Sequence, residues 1–137
     1  MSDNIKKTAL YDYHEKYSNN LIDFSGFLLP VFYSSIIEEH QSVRKAAGIF
    51  DVSHMGQFFI SGKSSEEFIQ MVTTNDVFKL RKGQAQYSLI CNEEGGIIDD
   101  ILVYRCESGY MLVVNASDIG KKFDWLKSFQ PQGSFLE

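Results

Sequence analysis

The sequence predicts an α+β fold, in which an antiparallel sheet carries its helices on one face. Three strand-like segments with short connections lie between Ala85 and Asn115, as expected for an antiparallel meander. Helical patterns lie before and after this meander. From Gln57 onward the predicted order is strand, helix, three strands and helix, which is typical of a split α+β sandwich.

Four strands are predicted in this part of the chain. They cover residues 57–61, 85–91, 97–105 and 110–115. Gly95 and Gly96 precede the third strand, and we interpret them as a turn that needs flexible backbone. A phosphate-binding loop is not favoured, because the sequence contains neither a G-x-G-x-x-G pattern nor a P-loop.

Two helices accompany these strands. The first begins at Ser64, where Ser64 and Glu67 form a capping-box pattern. The second covers residues 118–129, in which apolar residues recur at intervals of three and four. Both patterns are those of helices that bury one side.

The N-terminal region fits this unit poorly. It holds one predicted helix, over residues 34–47, in which Ser35 and Glu38 form a capping box and Gly48 stands at the C-terminal cap position. A short hairpin is possible within residues 21–32. We therefore expect residues 1–53 to be the incomplete start of a first domain and residues 54–137 to be a nearly complete second domain.

Two features suggest a truncated part of a longer protein. The last predicted element is a helix, where such a sandwich would add a returning strand. The N-terminal region is also rich in aromatic residues, which we expect to drive self-association or to be disordered. These residues are Tyr11, Tyr13, Phe24, Phe27, Phe32 and Tyr33.

Composition narrows the class of protein. The chain has 137 residues, of which 44% are hydrophobic and 14% aromatic, so a packed core is feasible. Its net charge is −5 and Lys/Arg clusters are short, which argues against a nucleic-acid-binding surface. No apolar run has the length of a signal peptide or of a membrane span of about 18 residues, so we predict no membrane segment and a cytoplasmic location.

The two cysteines do not predict a metal site. Cys91 and Cys106 lack the spacing of zinc ligands, and no histidine is close to either in the sequence. Two buried free thiols are the favoured interpretation, with a disulfide as the alternative.

Asp99 and Asp100 are the most informative pair, because they stand in the middle of an apolar predicted strand. Alternation places Asp99 on the face of Ile97 and Ile101, and Asp100 on the face of Ile98. Since both faces are apolar, we expect at least one carboxylate to be partly buried, with its pKa raised towards a range useful for proton transfer. The alternative is that both accept backbone N–H groups near the preceding glycine turn.

Other side chains give weaker signals. Tyr87, Tyr104 and Asn115 could line a pocket for a flat heteroaromatic ring, although cross-strand aromatic packing also explains the tyrosines. Asp51 and His54 could suggest acid–base chemistry. No serine or cysteine nucleophile is paired with them, so we interpret His54 as a hydrogen-bonded structural residue.

Four segments together resemble the opening of glycine cleavage T-proteins. They are LYDYHEKY at residues 10–17, residues 23–58 with the motif DVSHMG, NEEGGIIDDILVY at residues 92–104, and LVVNAS at residues 112–117. Their order and spacing are those of the family, and the resemblance covers nearly the whole chain.

The resemblance implies an aminomethyltransferase. Members of this family take an aminomethyl group from the lipoyl arm of the H-protein and pass it to tetrahydrofolate, with release of ammonia. Their three domains surround a folate channel. This chain would be well under half of such a protein, and we expect it to be inactive alone.

The resemblance also implies roles for single residues. Asp100 matches the aspartate beside the folate nitrogen that accepts the one-carbon unit, and Asp99 would be its structural neighbour. Four further residues match positions that line or flank the folate cavity, namely Met55, Tyr87, Tyr104 and Asn115.

Three alternatives remain. Folate-binding proteins of iron–sulfur assembly share the architecture and carry a cysteine motif further along their chains. Folate-dependent demethylases use the same module, often behind a flavoprotein domain. The DVSHM and LYDYHEKY segments favour the T-protein. A non-enzymatic α+β interaction domain would require the paired aspartates to be structural.

Overall fold

The structure, a computed structural model, describes residues 5–137. The chain divides into two compact units, one ending at His54 and the other running from Met55 to Glu137. Helices and antiparallel sheets occur together, so the predicted α+β class is confirmed. The assignment of residues 1–53 and 54–137 to two domains of a longer protein stays a prediction.

The N-terminal unit contains two helices and a hairpin. Its elements are α1 (Tyr11–Tyr17), β1 (Leu21–Phe24), β2 (Phe27–Pro30) and α2 (Ile36–Lys45). The hairpin was predicted and α1 was not. Ser25 and Gly26 join the two strands with φ values of 53° and 82°, the type I′ geometry that matches strand twist. Helix α2 ends before Gly48, which therefore does not cap it.

The start of α2 is capped differently from the prediction. Ser35 occupies the N-cap position but makes no side-chain cap hydrogen bond. Glu39, rather than Glu38, turns back towards the preceding loop, where its Oε1 accepts the backbone N–H groups of Tyr33 and Ser34, each at 2.7 Å. Hydrogen bonds to the backbone, chiefly that of Ser34, lower the pKa of the Glu39 carboxyl.

The N-terminal unit buries little apolar surface. Among residues 5–54, Leu29 is the one hydrophobic residue that is buried, and the polar residues Thr8, His14 and Ser18 are buried as well. Several aromatic side chains are exposed, including Tyr13, Phe24 and Tyr33. The predicted self-association through such residues stays a prediction.

The C-terminal unit is a five-stranded antiparallel sheet with two α-helices. Its elements are β3 (Gly56–Gly62), α3 (Ser65–Val72), a 3-10 turn (Val77–Lys79), β4 (Ala85–Cys91), β5 (Ile97–Cys106), β6 (Gly109–Val114), α4 (Ile119–Ser128) and β7 (Ser134–Leu136). The strand order is β4-β5-β6-β3-β7. The four predicted strands and two predicted helices are all present.

Strand β7 contradicts the prediction that the chain ends on a helix. Leu136 pairs with Ile60 of β3, and Phe59 and Glu137 exchange backbone hydrogen bonds of 2.7 and 3.0 Å. The returning strand is therefore part of this chain. At three residues it is too short to show the alternation from which a strand is predicted.

Both helices cover one face of this sheet. The core combines Phe68, Ile69 and Val72 of α3 and Leu126 of α4 with alternate residues of the strands. Those strand residues include Phe58, Ile60, Ile101, Val103, Leu112 and Val114. Burial of each such side chain contributes about 2 kcal/mol. The opposite face leaves Phe59 and Tyr87 largely exposed.

The predicted capping box at the start of α3 does not form. Ser64 is the N-cap residue but makes no cap hydrogen bond with its side chain. Its hydroxyl donates instead to the carbonyl oxygen of Gln132 at 3.1 Å. Ser64 therefore ties α3 to the segment that leads into β7.

Candidate functional site

Asp99 and Asp100 point to opposite faces of β5. Asp99 is buried on the helix-covered face with Ile101, whereas Asp100 is exposed. The predicted alternation fails before Asp99, because Ile97 is exposed and Ile98 packs against the core. The cause is a register shift at the end of β4, which leaves Ile98 without a partner there.

Asp99 forms a buried salt bridge with Lys122 of α4. Its Oδ2 lies 2.7 Å from Nζ, and the two side chains are 7% and 4% exposed. The same oxygen accepts the backbone N–H of Asn115 at 3.0 Å. The predicted alternative, bonds from the glycine turn, is therefore wrong for Asp99. Burial of either ion without its partner would cost several kcal/mol, so each permits the burial of the other.

The side-chain amide of Asn115 joins the two carboxylates. Its Nδ2 lies 3.0 Å from Oδ1 of Asp99, 2.9 Å from Oδ1 of Asp100 and 3.1 Å from the Asp100 carbonyl oxygen. The carbonyl oxygen of Asn115 accepts a 2.9 Å hydrogen bond from Lys122. Asn115 thus connects the buried face of the sheet to its open face.

Asp100 accepts a hydrogen bond from Tyr87, whose hydroxyl lies 2.7 Å from Oδ2. Asp100 pairs with Leu89 of β4, so Tyr87 is its diagonal neighbour on the same face. The hydrogen bond from Tyr87 is the main cause that holds the pKa of Asp100 below its ordinary value, and Asn115 and the charge of Lys122 act in the same direction. The burial expected of at least one carboxylate is found at Asp99, whereas Asp100 is exposed and its pKa is lowered.

Apolar and aromatic side chains share the open face of the sheet with Asp100. Strand register and alternation place there Tyr87, Leu89, Leu102, Tyr104, Met111 and Val113. Tyr87 is 58% exposed. A single carboxylate on such a surface suits a flat heteroaromatic ring that carries an amine.

Tyr104 and Met55 lie outside the hydrogen-bonded group of Tyr87, Asp100 and Asn115. Tyr104 is on the same face as Asp100 but about 13 Å further along β5. Met55 directly precedes Gly56, which pairs with Val114, so Met55 is at the end of the sheet that also carries Asn115. The predicted contacts of these residues with folate stay predictions.

A second buried polar cluster lies within the N-terminal unit. Nε2 of His14 is 2.7 Å from Oδ2 of Asp51, Nδ1 is 2.7 Å from the Tyr33 hydroxyl, and Thr8 donates to the same Asp51 oxygen at 2.7 Å. An ionised carboxylate only accepts, so Nε2 carries a hydrogen. Burial opposes ionisation of Asp51, but hydrogen bonds from Ser53, Thr8 and His14 outweigh it and hold the pKa well below its ordinary value.

Asp51 and His54 do not form an acid–base pair. Asp51 bonds to His14, while the His54 ring meets Phe24 and Phe27 edge-on, with centroids 5.5 and 6.3 Å apart. Nδ1 of His54 is buried without a hydrogen-bond partner among residues 5–137. The structural role expected of His54 thus comes from aromatic packing, and the expected hydrogen bonding is wrong for Nδ1.

The position of Lys122 in the sequence also indicates that it is buried, although Lys122 was not among the predicted site residues. Lys122 follows Ile119 by three residues and precedes Leu126 by four, so it lies on the apolar side of α4. No comparable signal marks His14, because its partner Asp51 is 37 residues away along the chain.

Within residues 5–137, no group of three or more His, Cys, Asp or Glu side chains is arranged to hold a metal ion. No helix in that range is long and apolar enough to cross a membrane. Cys91 and Cys106 are free thiols as predicted, but each is partly exposed rather than buried.

Residues 10–136 match the model of the GCVT N-terminal domain family. The chain belongs to the glycine cleavage T-protein family. The match leaves out the first nine residues and the last residue of the chain, and it contains Asp99, Asp100 and Asn115.

Similar proteins and a solved structure support this membership. The aminomethyltransferase of Chlorobium phaeobacteroides is 52% identical over 124 residues, 90% of this chain and 34% of the relative. That of Chlorobaculum tepidum is 53% identical over 136 residues, 97% of this chain and 37% of the relative. The crystal structure of glycine cleavage system aminomethyltransferase T from Bartonella henselae matches with a TM-score of 0.89 and 32% identity, over 96% of this chain and 37% of that one. The chain thus spans about a third of the length of these relatives.

Proposed function

We propose that this chain is the N-terminal part of a tetrahydrofolate-dependent aminomethyltransferase of glycine cleavage. The donor would be the aminomethyl-lipoyl group of the H-protein and the acceptor tetrahydrofolate. Two bonds form between the transferred carbon and folate nitrogens. The bonds from that carbon to the lipoyl sulfur and to the amino nitrogen break, so the products are methylenetetrahydrofolate, a lipoyl thiol and ammonia.

The exposed carboxylate of Asp100 is the observation that carries this proposal. Tyr87 and Asn115 each donate to it, so its position is fixed before any substrate binds. A fixed carboxylate can orient a folate amine and stabilise the positive charge that develops as the amine attacks the aminomethyl carbon.

The lowered pKa of Asp100 bears on its role. A carboxyl group whose pKa lies below the ordinary value is ionised at neutral pH and is a weak base. Asp100 would therefore act through its charge and its position, and it need not remove a proton before the attack. No covalent nucleophile is required.

The open sheet face fits one side of a folate ring. Tyr87 and Leu89 on β4 and Leu102 on β5 give it an apolar surface beside the carboxylate. A ring that lies on one sheet face is contacted from one side alone. We infer that the remaining contacts come from the rest of the protein, because its relatives are about three times as long as this chain.

The test is an assay of the full-length protein with aminomethylated H-protein. Ammonia release that requires both this H-protein and tetrahydrofolate supports the proposal. Demethylation of an N-methylated glycine in the same preparation, without any reaction of the H-protein, would support the demethylase alternative and overturn it.

A further inference from the structure

We propose that Lys122 and Asp99 are positioning residues, which hold the Asp100 carboxylate through Asn115 in the orientation used by the reaction. This inference rests on the proposed function. It assigns a role to a buried ion pair that lies on the face of the sheet opposite the proposed substrate.

The contacts run in an unbroken series from α4 to the open face. Lys122 binds Oδ2 of Asp99 at 2.7 Å and the carbonyl oxygen of Asn115 at 2.9 Å. Asp99 accepts both the backbone N–H and the side-chain amide of Asn115, each at 3.0 Å. Asn115 is thus held at three of its polar groups. Its amide then donates to Oδ1 of Asp100 at 2.9 Å.

Because the Lys122–Asp99 ion pair is buried, a role in positioning explains it better than a contribution to stability does. Replacement of a buried ion pair by apolar side chains of similar volume is often neutral or stabilising in proteins. Lys122 and Asp99 are both buried, at positions where aliphatic side chains could also be accommodated. What the ion pair adds is a fixed direction for the groups it binds. Those groups all belong to Asn115.

Asn115 needs such support because of its place in the fold. It is the first residue after β6, so it lacks the strand ladder that fixes Val114. Without Lys122 and Asp99, its amide would keep only its contacts with the carbonyl oxygen and the carboxylate of Asp100. Tyr87 holds the other oxygen of that carboxylate.

The neighbouring lysine provides a matched control. Lys121 is on the same helix but 81% exposed, and it pairs with Asp118 at 3.1 Å on the surface. Lys121→Met removes the same charge from the same helix without touching Asn115. It should therefore leave the pKa of Asp100 and the turnover unchanged.

The experiment compares Lys122→Met, Lys122→Arg and Lys121→Met in the full-length protein. The pKa of Asp100 is measured by NMR with labelled aspartate, alongside turnover and folate affinity. Lys122→Met should raise the pKa of Asp100 and lower turnover about tenfold to a hundredfold, the scale for a misplaced catalytic group, with a smaller change in folate affinity. Lys122→Arg should bring both the pKa of Asp100 and the turnover most of the way back to their wild-type values.

A purely structural Lys122 gives a different result. Lys122→Met would then lower the melting temperature but leave the side-chain amide signals of Asn115 and turnover per folded molecule at their wild-type values, which would overturn the proposal. If Lys122→Met does not fold, Lys122→Met combined with Asp99→Asn removes both charges together. Wild-type turnover in that folded double variant overturns the proposal, and a tenfold or greater loss supports it.

Failure of this proposal can be distinguished from failure of the proposed function. If the wild-type protein transfers no aminomethyl group, the proposed function fails. The side-chain amide signals of Asn115 then decide whether Lys122 positions the carboxylate, because loss of the Lys122 charge by itself also raises the pKa of Asp100.

Discussion

The hydroxyl of Tyr87 donates a 2.7 Å hydrogen bond to Oδ2 of Asp100 across two neighbouring strands. This contact lowers the pKa of Asp100 and raises the pKa of Tyr87, in each case as the main cause. The phenol hydrogen stabilises the carboxylate, and the carboxylate disfavours a phenolate beside it. Each residue therefore reports on the ionisation of the other.

Asp100→Asn should bring the pKa of Tyr87 down towards its ordinary value of about 10, because the charge that opposes phenolate formation is gone. Because the pKa of Tyr87 is raised in the folded state, the contact stabilises the fold at any pH below the pKa of the unfolded state. This contribution is lost as the pH rises through the pKa of Tyr87 in the folded state. Ultraviolet absorbance of tyrosinate measures the titration, and Tyr87→Phe identifies the signal. An unchanged Tyr87 titration in Asp100→Asn would show that the hydrogen bond does not persist in solution.

Asp100→Ala should lower turnover of the full-length enzyme roughly a hundredfold or more, about 3 kcal/mol, the scale for loss of one preorganised electrostatic contact. Asp100→Asn should be nearly as damaging, because it keeps the shape and removes the charge. Folate affinity should change less, since the contact strengthens as positive charge develops. Steady-state kinetics and folate binding check this, and near-normal turnover in Asp100→Asn would contradict it.

Asp99→Asn should cost stability more than turnover, and it should lower turnover less than Lys122→Met does, because the new side-chain oxygen can still accept from Asn115. The substitution keeps an oxygen that can accept from Asn115 but leaves Lys122 buried without a counter-charge, a loss of about 3 kcal/mol in the free energy of unfolding. Chemical denaturation measures this loss. Asp118→Asn is the control, because Asp118 is 64% exposed in its pair with Lys121 and should cost at most about 1 kcal/mol. Equal losses of unfolding free energy in Asp99→Asn and Asp118→Asn would refute the assignment of Asp99 to a buried ion pair.

The sequence predicted the sheet well because its strands carry long apolar alternation. It also separated Asp99 from Asp100 correctly, since the alternation holds from Asp99 onward. The bulge at Ile98 could not be predicted, because it depends on the register with β4. Alternation alone therefore gave the wrong faces to Ile97 and Ile98.

Side-chain partners were predicted less well than backbone elements. Local capping rules favoured Glu38, but the loop before α2 presents its N–H groups to Glu39. Lys122 and Asp99 are distant in sequence and meet only when α4 packs on the sheet. Pairs of this kind follow from tertiary packing, which no local pattern encodes.

The isolated chain should have no aminomethyltransferase activity and at best weak folate affinity. One sheet face supplies part of the contacts, while the entropic cost of fixing the ligand is incurred in full. Calorimetry with tetrahydrofolate on the 137-residue chain, beside the full-length protein, measures the difference. Micromolar binding by the isolated chain would show that the open face is sufficient.

Asp51→Asn should lower the stability of the N-terminal unit and make that stability less dependent on pH in the acid range. The pKa of Asp51 is lowered in the folded state, so its hydrogen bonds contribute stability above the unfolded value of about 4, and this contribution is lost as pH falls through the folded value. Hydrogen exchange over α1 measures the effect, because His14 on that helix is the partner of Asp51. Asp12→Asn, an exposed change on the same helix, should alter stability by at most about 0.5 kcal/mol. If the exchange rates of α1 in the Asp51 variant equal those of the wild type at neutral pH, the buried cluster does not hold this helix.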